Sequence, residues 1–112
     1  MVESKGTVLV VDDNETVLDT LRMVLESEGY DVLTSPTVLC ANIITENQPD
    51  LILLDVRMPG MSGDVAGAIF QRTRGLVRKG LIVFHSNLPV EELDRLAREA
   101  QVAGFMQKCS DS

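Results

Sequence analysis

Residues 7–29 read TVLVVDDNETVLDTLRMVLESEG, and the switch of pattern inside this stretch decides the fold. Thr7 to Val11 is an unbroken β-branched and apolar run, the signature of a short strand buried on both faces. It stops at Asp12-Asp13-Asn14. From there Val17, Leu18, Leu21, Val24 and Leu25 recur at helical spacing, and Gly29 is placed to end the helix. A strand therefore passes into an amphipathic helix through a pair of carboxylates.

The alternation repeats along the rest of the chain. Residues 30–34 read as a second, weaker strand, and residues 37–47 as a second helix set between Pro36 and Pro49. Residues 51–54 (LILL) form a third strand stopped by Asp55. A turn region at residues 58–63 leads into a helix carrying Val65, Ala66, Ile69 and Phe70 that runs to Arg74. Residues 81–84 (LIVF) make a fourth strand, residues 89–101 a fourth helix and residues 104–107 a fifth strand. Short apolar strands alternating with helices imply a parallel sheet covered on both faces, because right-handed crossovers return each helix onto the sheet. No repeat or low-complexity linker interrupts the pattern, so residues 1–112 read as one domain.

Composition agrees with a single core. The chain has 112 residues, 45% hydrophobic and 24% charged, which excludes a disordered tail or a fibre. A domain of this size buries roughly 65% of the surface its extended chain exposes. Ten basic and 17 acidic residues give a net charge of −7, so the field that attracts nucleic-acid phosphates or anionic lipid is missing. Direct binding to nucleic acid or membrane is not expected. No run approaches the roughly 18 apolar residues of a membrane span, and residues 1–6 lack the start of a signal peptide, so a cytoplasmic location is expected. Cys40 and Cys109 show no metal-binding spacing and read as reduced thiols, with Cys40 buried.

In doubly wound sheets, ligands gather at the carboxyl ends of the strands. The polar residues falling there are Asp12 and Asp13, Asp55, Ser86 and Lys108. Carboxylates brought this close repel one another, and a hard divalent cation such as Mg²⁺ is the natural remedy. A carboxylate can also be the nucleophile of phosphoryl transfer, with a metal and a Lys neutralising the transferred group. Plainer roles remain open for each residue. Asp12 and Asp13 suit a helix cap, Asp55 a turn, Ser86 a loop hydroxyl and Lys108 a solvated surface cation. Phe105 fits a core position, and His85 a structural one. Arg72, Arg74, Arg78 and Lys79 read as a solvated helix end or as a docking patch.

Taken together, VLVVDD at residues 8–13, LLDVRMPGMSG at residues 53–63, Ser86 and Lys108 resemble the response-regulator receiver domain of two-component signalling. The resemblance spans residues 7–108. It implies a flavodoxin-like, doubly wound five-stranded parallel sheet in the order 2-1-3-4-5, with residues 1–112 expected to form a single receiver domain and no effector domain. It also implies that Asp55 accepts a phosphoryl group from a histidine kinase or phosphotransfer protein. Asp12, Asp13, Asp55 and the backbone carbonyl of Arg57 would hold Mg²⁺, and Lys108 would pair with phosphoryl oxygens. Ser86 and Phe105 would move together as a switch. Phosphorylation adds about 1.5–2 negative charges and shifts a two-state equilibrium, changing the surface around the fourth helix and fifth strand for a downstream protein target. Catalysis would be limited to the chain's own phosphorylation and dephosphorylation.

The sequence departs from the family in three places. Asn87 follows Ser86 where a small residue is usual, and Cys109 follows Lys108 where a proline is usual. A cis bond at a non-proline residue costs about 2.5–4 kcal/mol, so a trans backbone is expected there. After Lys108 only four residues follow in this sequence, so the family's fifth helix is expected to be missing or truncated. The sheet face it leaves would be covered by a partner, a second copy forming a homodimer, or a removed C-terminal segment. An alternative reading is a pseudo-receiver, an interaction module that does not use phosphate. A haloacid-dehalogenase-like phosphatase would need a second Asp where Arg57 stands, and no glycine-rich nucleotide motif is present.

Overall fold

The computed structural model describes residues 4–37, 40–56, 75 and 80–108. The expected turn at residues 58–63, the helix expected to end at Arg74, the Arg57 carbonyl, the basic residues Arg72, Arg74, Arg78 and Lys79, and Cys109 with the residues after it lie outside these. The described elements are β1 (Thr7–Val11), α1 (Glu15–Ser27), β2 (Asp31–Ser35), α2 (Ala41–Asn47), β3 (Leu51–Leu54), β4 (Leu81–Ser86), α3 (Val90–Ala100) and β5 (Gly104–Gln107).

The five strands form one sheet in the order β2-β1-β3-β4-β5 with every pairing parallel. This is the flavodoxin-like, doubly wound arrangement. Alternate residues of each strand face opposite sides. Leu9, Val11, Ile52, Leu54, Ile82 and Phe84 pack with Cys40 at the start of α2, with Ile44 of α2 and with Leu93 and Ala97 of α3. Val8, Val10, Val32 and Leu53 pack on the other side against Leu18 of α1. Both faces of β1 and β3 are covered, which is why Val8–Val11 and Leu51–Leu54 are apolar at every position rather than at every second one.

Several element boundaries differ from expectation, three of them for a visible local reason. β2 begins at Asp31 rather than Tyr30 because Tyr30 belongs to the end of α1. Its N–H donates to the Leu25 carbonyl and that of Gly29 to Glu26, both at 3.1 Å, while Gly29 takes a φ of 99°. This is a Schellman ending, and Leu25 and Tyr30 each pack against the α1-side core. α2 begins at Ala41 rather than at residue 37 because Thr37 is held in a turn on Ser35, whose Oγ donates to the Thr37 carbonyl at 2.7 Å. β4 runs two residues further than expected, through His85 and Ser86, which pair with Met106 and Gln107 of β5.

The amino ends of the strands are tied off by Asp50. Its carboxylate accepts the Thr7 N–H at 2.8 Å, and its carbonyl accepts the Leu81 N–H at 3.0 Å. Functional groups are left to the carboxyl ends. On the α1 side near β5, Leu81 and Met106 are 58% and 53% exposed, an apolar pair that no described helix covers.

Candidate metal and phosphoacceptor site

β1 delivers Asp12 to the sheet edge with almost no exposure. The Asp12 N–H still donates to Ser35 across the ladder, and its Oδ1 accepts the Asn14 N–H at 2.9 Å. The cap of α1 is Asn14, whose Oδ1 accepts from Thr16 at 2.9 Å and from Val17 at 3.3 Å. Neither Asp12 nor Asp13 is therefore needed to cap the helix, and the plain reading of that pair falls away. An Asn directly before the helical run is the sequence signal for that cap.

β3 delivers Asp55 beside them, with its N–H donating to the Val11 carbonyl at 3.0 Å and its side chain buried. Asp12, Asp13 and Asp55 each offer a carboxylate oxygen within 4.8 Å of the others. From the end of β5, Lys108 reaches into the group with its side chain 17% exposed, placing Nζ 2.5 Å from Asp12 Oδ2 and 3.1 Å from Asp55 Oδ2. The contact to Asp12 is an ion pair without hydrogen-bond geometry, so this fully buried oxygen has no hydrogen-bond partner among the described residues. Burial is the largest single influence on the Lys108 ammonium and works to lower its pKa. The Asp12 and Asp55 carboxylates together outweigh it and raise the pKa above 10.5.

The charges decide what the site can accept. Three carboxylates and one ammonium leave two negative charges concentrated in a few ångströms. All the ligand atoms are oxygens and three carboxylates face a single ammonium, so the residues fit a hard divalent cation such as Mg²⁺.

Ser86, at the end of β4, is fully buried, and its carbonyl accepts the Lys108 N–H at 2.8 Å. Its Oγ accepts the Leu88 N–H at 3.3 Å. Phe105 pairs with Phe84 across the β4–β5 ladder and packs, partly buried, against the core on the α2 and α3 side. His85 is buried next to the site. Burial first and the Lys108 charge second push its pKa below 6.5, against the opposing pull of Asp12 and Asp55. Two contributors went unread in the sequence: Asn14, and Gln107, whose side chain donates to the Leu88 carbonyl at 3.0 Å. No sequence pattern marks Gln107.

A doubly wound parallel sheet that gathers carboxylates and a lysine at its strand ends defines a small α/β protein of the flavodoxin-like class. The chain belongs to the response regulator receiver domain family, which it matches over residues 8–112. Members of this family act as phosphorylation-based signalling switches rather than as enzymes, and they bind Mg²⁺ through acidic residues. The transcriptional regulatory protein KdpE of Mycobacterium tuberculosis (strain CDC 1551 / Oshkosh) is 42% identical over 64 residues, 55% of this chain and 28% of that protein. The matched segment thus spans about a quarter of such curated relatives. Among solved structures, the chemotaxis protein CheY4 of Vibrio cholerae at low pH superposes with a TM-score of 0.77 and 21% identity, covering 95% of this chain and 88% of that one. The N-terminal domain of a response regulator receiver protein from Methanoculleus marisnigri JR1 gives 0.75 and 26% identity, covering 96% and 87%. No described helix is long and apolar enough to cross a membrane.

Proposed function

We propose that Asp55 is the phosphoacceptor of a two-component switch, charged by a histidine kinase or a phosphotransfer protein in the cytoplasm. The observation that supports this most directly is Lys108 bridging Asp12 and Asp55 inside the cluster of three carboxylates. An Asp55 oxygen attacks the phosphorus, the phosphorus–nitrogen bond of the donor breaks, and its electron pair returns to the donor's imidazole. Lys108, already beside Asp55, pairs with the new phosphoryl oxygens and leaves its bond to the bare carboxylate. Asp12 and Asp13 hold Mg²⁺ together with Asp55, and the Arg57 carbonyl is a further ligand by resemblance. The cation supplies charge neutralisation for the transferred group. Ser86 offers a hydroxyl to that group, with Phe105 moving alongside it, and the altered α3–β5 surface is read by a downstream protein.

The test is intact mass after incubation with Mg²⁺ and a small acyl phosphate. The wild-type chain should gain one phosphate and Asp55→Asn none. A wild type that gains nothing would turn the reading toward an interaction module that works without phosphate.

A further inference from the structure

Residues 86, 88, 107 and 108 form a closed ring of contacts at the rim of the site. The Lys108 N–H donates to the Ser86 carbonyl at 2.8 Å, the Leu88 N–H donates to Ser86 Oγ at 3.3 Å, and Gln107 Nε2 donates to the Leu88 carbonyl at 3.0 Å. Gln107 is bonded to Lys108, which closes the ring. Leu88 is therefore clamped at both its N–H and its carbonyl, and its side chain packs against the core on the α3 side. It is also the joint between β4 and α3, since Pro89 follows it and caps the helix by accepting the N–H groups of Glu92 and Leu93. Of these contacts, the bond from Gln107 is the one made by an exposed side chain that belongs to neither β4 nor α3.

We propose that Gln107 is a positioning residue of the switch: its carboxamide pins Leu88 to β5, and through Leu88 it holds the Ser86 hydroxyl in the arrangement of the unphosphorylated chain. This rests on the reading of Asp55 as phosphoacceptor and of Ser86 as the hydroxyl that engages the phosphoryl group. A hydroxyl that accepts the Leu88 N–H is tied to the loop. It can turn to Asp55 only if Leu88 lets go of it or moves with it, and a pinned Leu88 carbonyl resists both. The arrangement that receives phosphate is then a minority state, and the rate of phosphorylation follows its population. Cutting one exposed hydrogen bond should raise that population about 2- to 5-fold.

Gln107→Met keeps the length of the side chain and removes the donor. With Mg²⁺ and an acyl phosphate, this variant should gain phosphate about 2- to 5-fold faster than wild type. Its Leu88 amide should also exchange with solvent faster before any phosphodonor is added. In a Ser86→Ala background the same substitution should leave the phosphorylation rate unchanged, because the pin acts through that hydroxyl. Equal or slower uptake by Gln107→Met, or an acceleration that persists without Ser86, would overturn the inference while leaving Asp55 as phosphoacceptor. Absence of uptake by the wild type would remove the phosphoacceptor reading, and this inference with it.

Discussion

Lys108 and His85 show how the same opposing influences, burial and nearby carboxylates, leave two bases shifted in opposite directions. Both are substantially buried, and burial alone lowers the pKa of each. Lys108 sits directly on two carboxylates and ends above 10.5, so the stability it adds is complete below that value and fades only as pH rises through its folded pKa. His85 feels the same carboxylates less strongly and also the Lys108 cation, and it ends below 6.5. The unfolded chain therefore takes up a proton on His85 before the folded one does. Stability linked to His85 is complete above 6.5 and falls as pH drops from there through the folded pKa. Between about pH 7.5 and about pH 5.5, without metal, wild type should lose more denaturant resistance than His85→Gln. The carboxylates are common to both chains, so their contribution cancels in the comparison. An equal loss in the two proteins would mean that the histidine is not held neutral by its burial.

At the level of elements, the sequence was most legible where one physical effect dominates. After Thr7, β1 is apolar at every position, as is all of β3, because both faces are covered, and their ends fall where the carboxylates begin. Boundaries blurred where two effects competed. Tyr30 has the composition of a strand residue, yet the Schellman ending of α1 claims its N–H, and Ser35 claims Thr37 before α2 can include it. Periodicity does not report such side-chain and capping bonds. Of the site, Asp12, Asp13, Asp55 and Lys108 could be read because the topology fixes which residues follow strands. Ser86 was read as following β4 but is its last residue, and Gln107 was invisible because its role depends on a loop carbonyl. The division of labour in the β1–α1 turn can be tested directly. Asn14→Ala should lower stability by about 1 kcal/mol in denaturant unfolding, the usual cost of losing an N-cap. Asp13→Ala should leave stability unchanged or raise it slightly by relieving repulsion among the carboxylates. A larger loss from Asp13→Ala than from Asn14→Ala would reverse the assignment of the cap.

For the whole molecule, the site is also a fastening point. Its charged groups come from the ends of β1, β3 and β5, three of the five strands, and two of these are separated in the sheet by β4. An ion held by Asp12, Asp13 and Asp55 would be bound by the folded chain and not by the unfolded one, because the acidic pair and Asp55 meet only in the sheet. Binding of that kind stabilises by about 2.7 kcal/mol when the free ion stands at 100 times its Kd. The net charge of −7 complicates the measurement, since any salt screens self-repulsion and stabilises the compact state to some degree. The two effects separate by their dependence on the site. At constant ionic strength, replacing NaCl with MgCl₂ should raise the unfolding midpoint of wild type progressively, without changing the denaturant m-value. Asp12→Asn should lose most of that rise, because it weakens the acidic pair and leaves the overall charge nearly the same. A rise of equal size in Asp12→Asn would show that Mg²⁺ acts only as a counterion on an acidic surface, and the carboxylate cluster would then not be a metal centre.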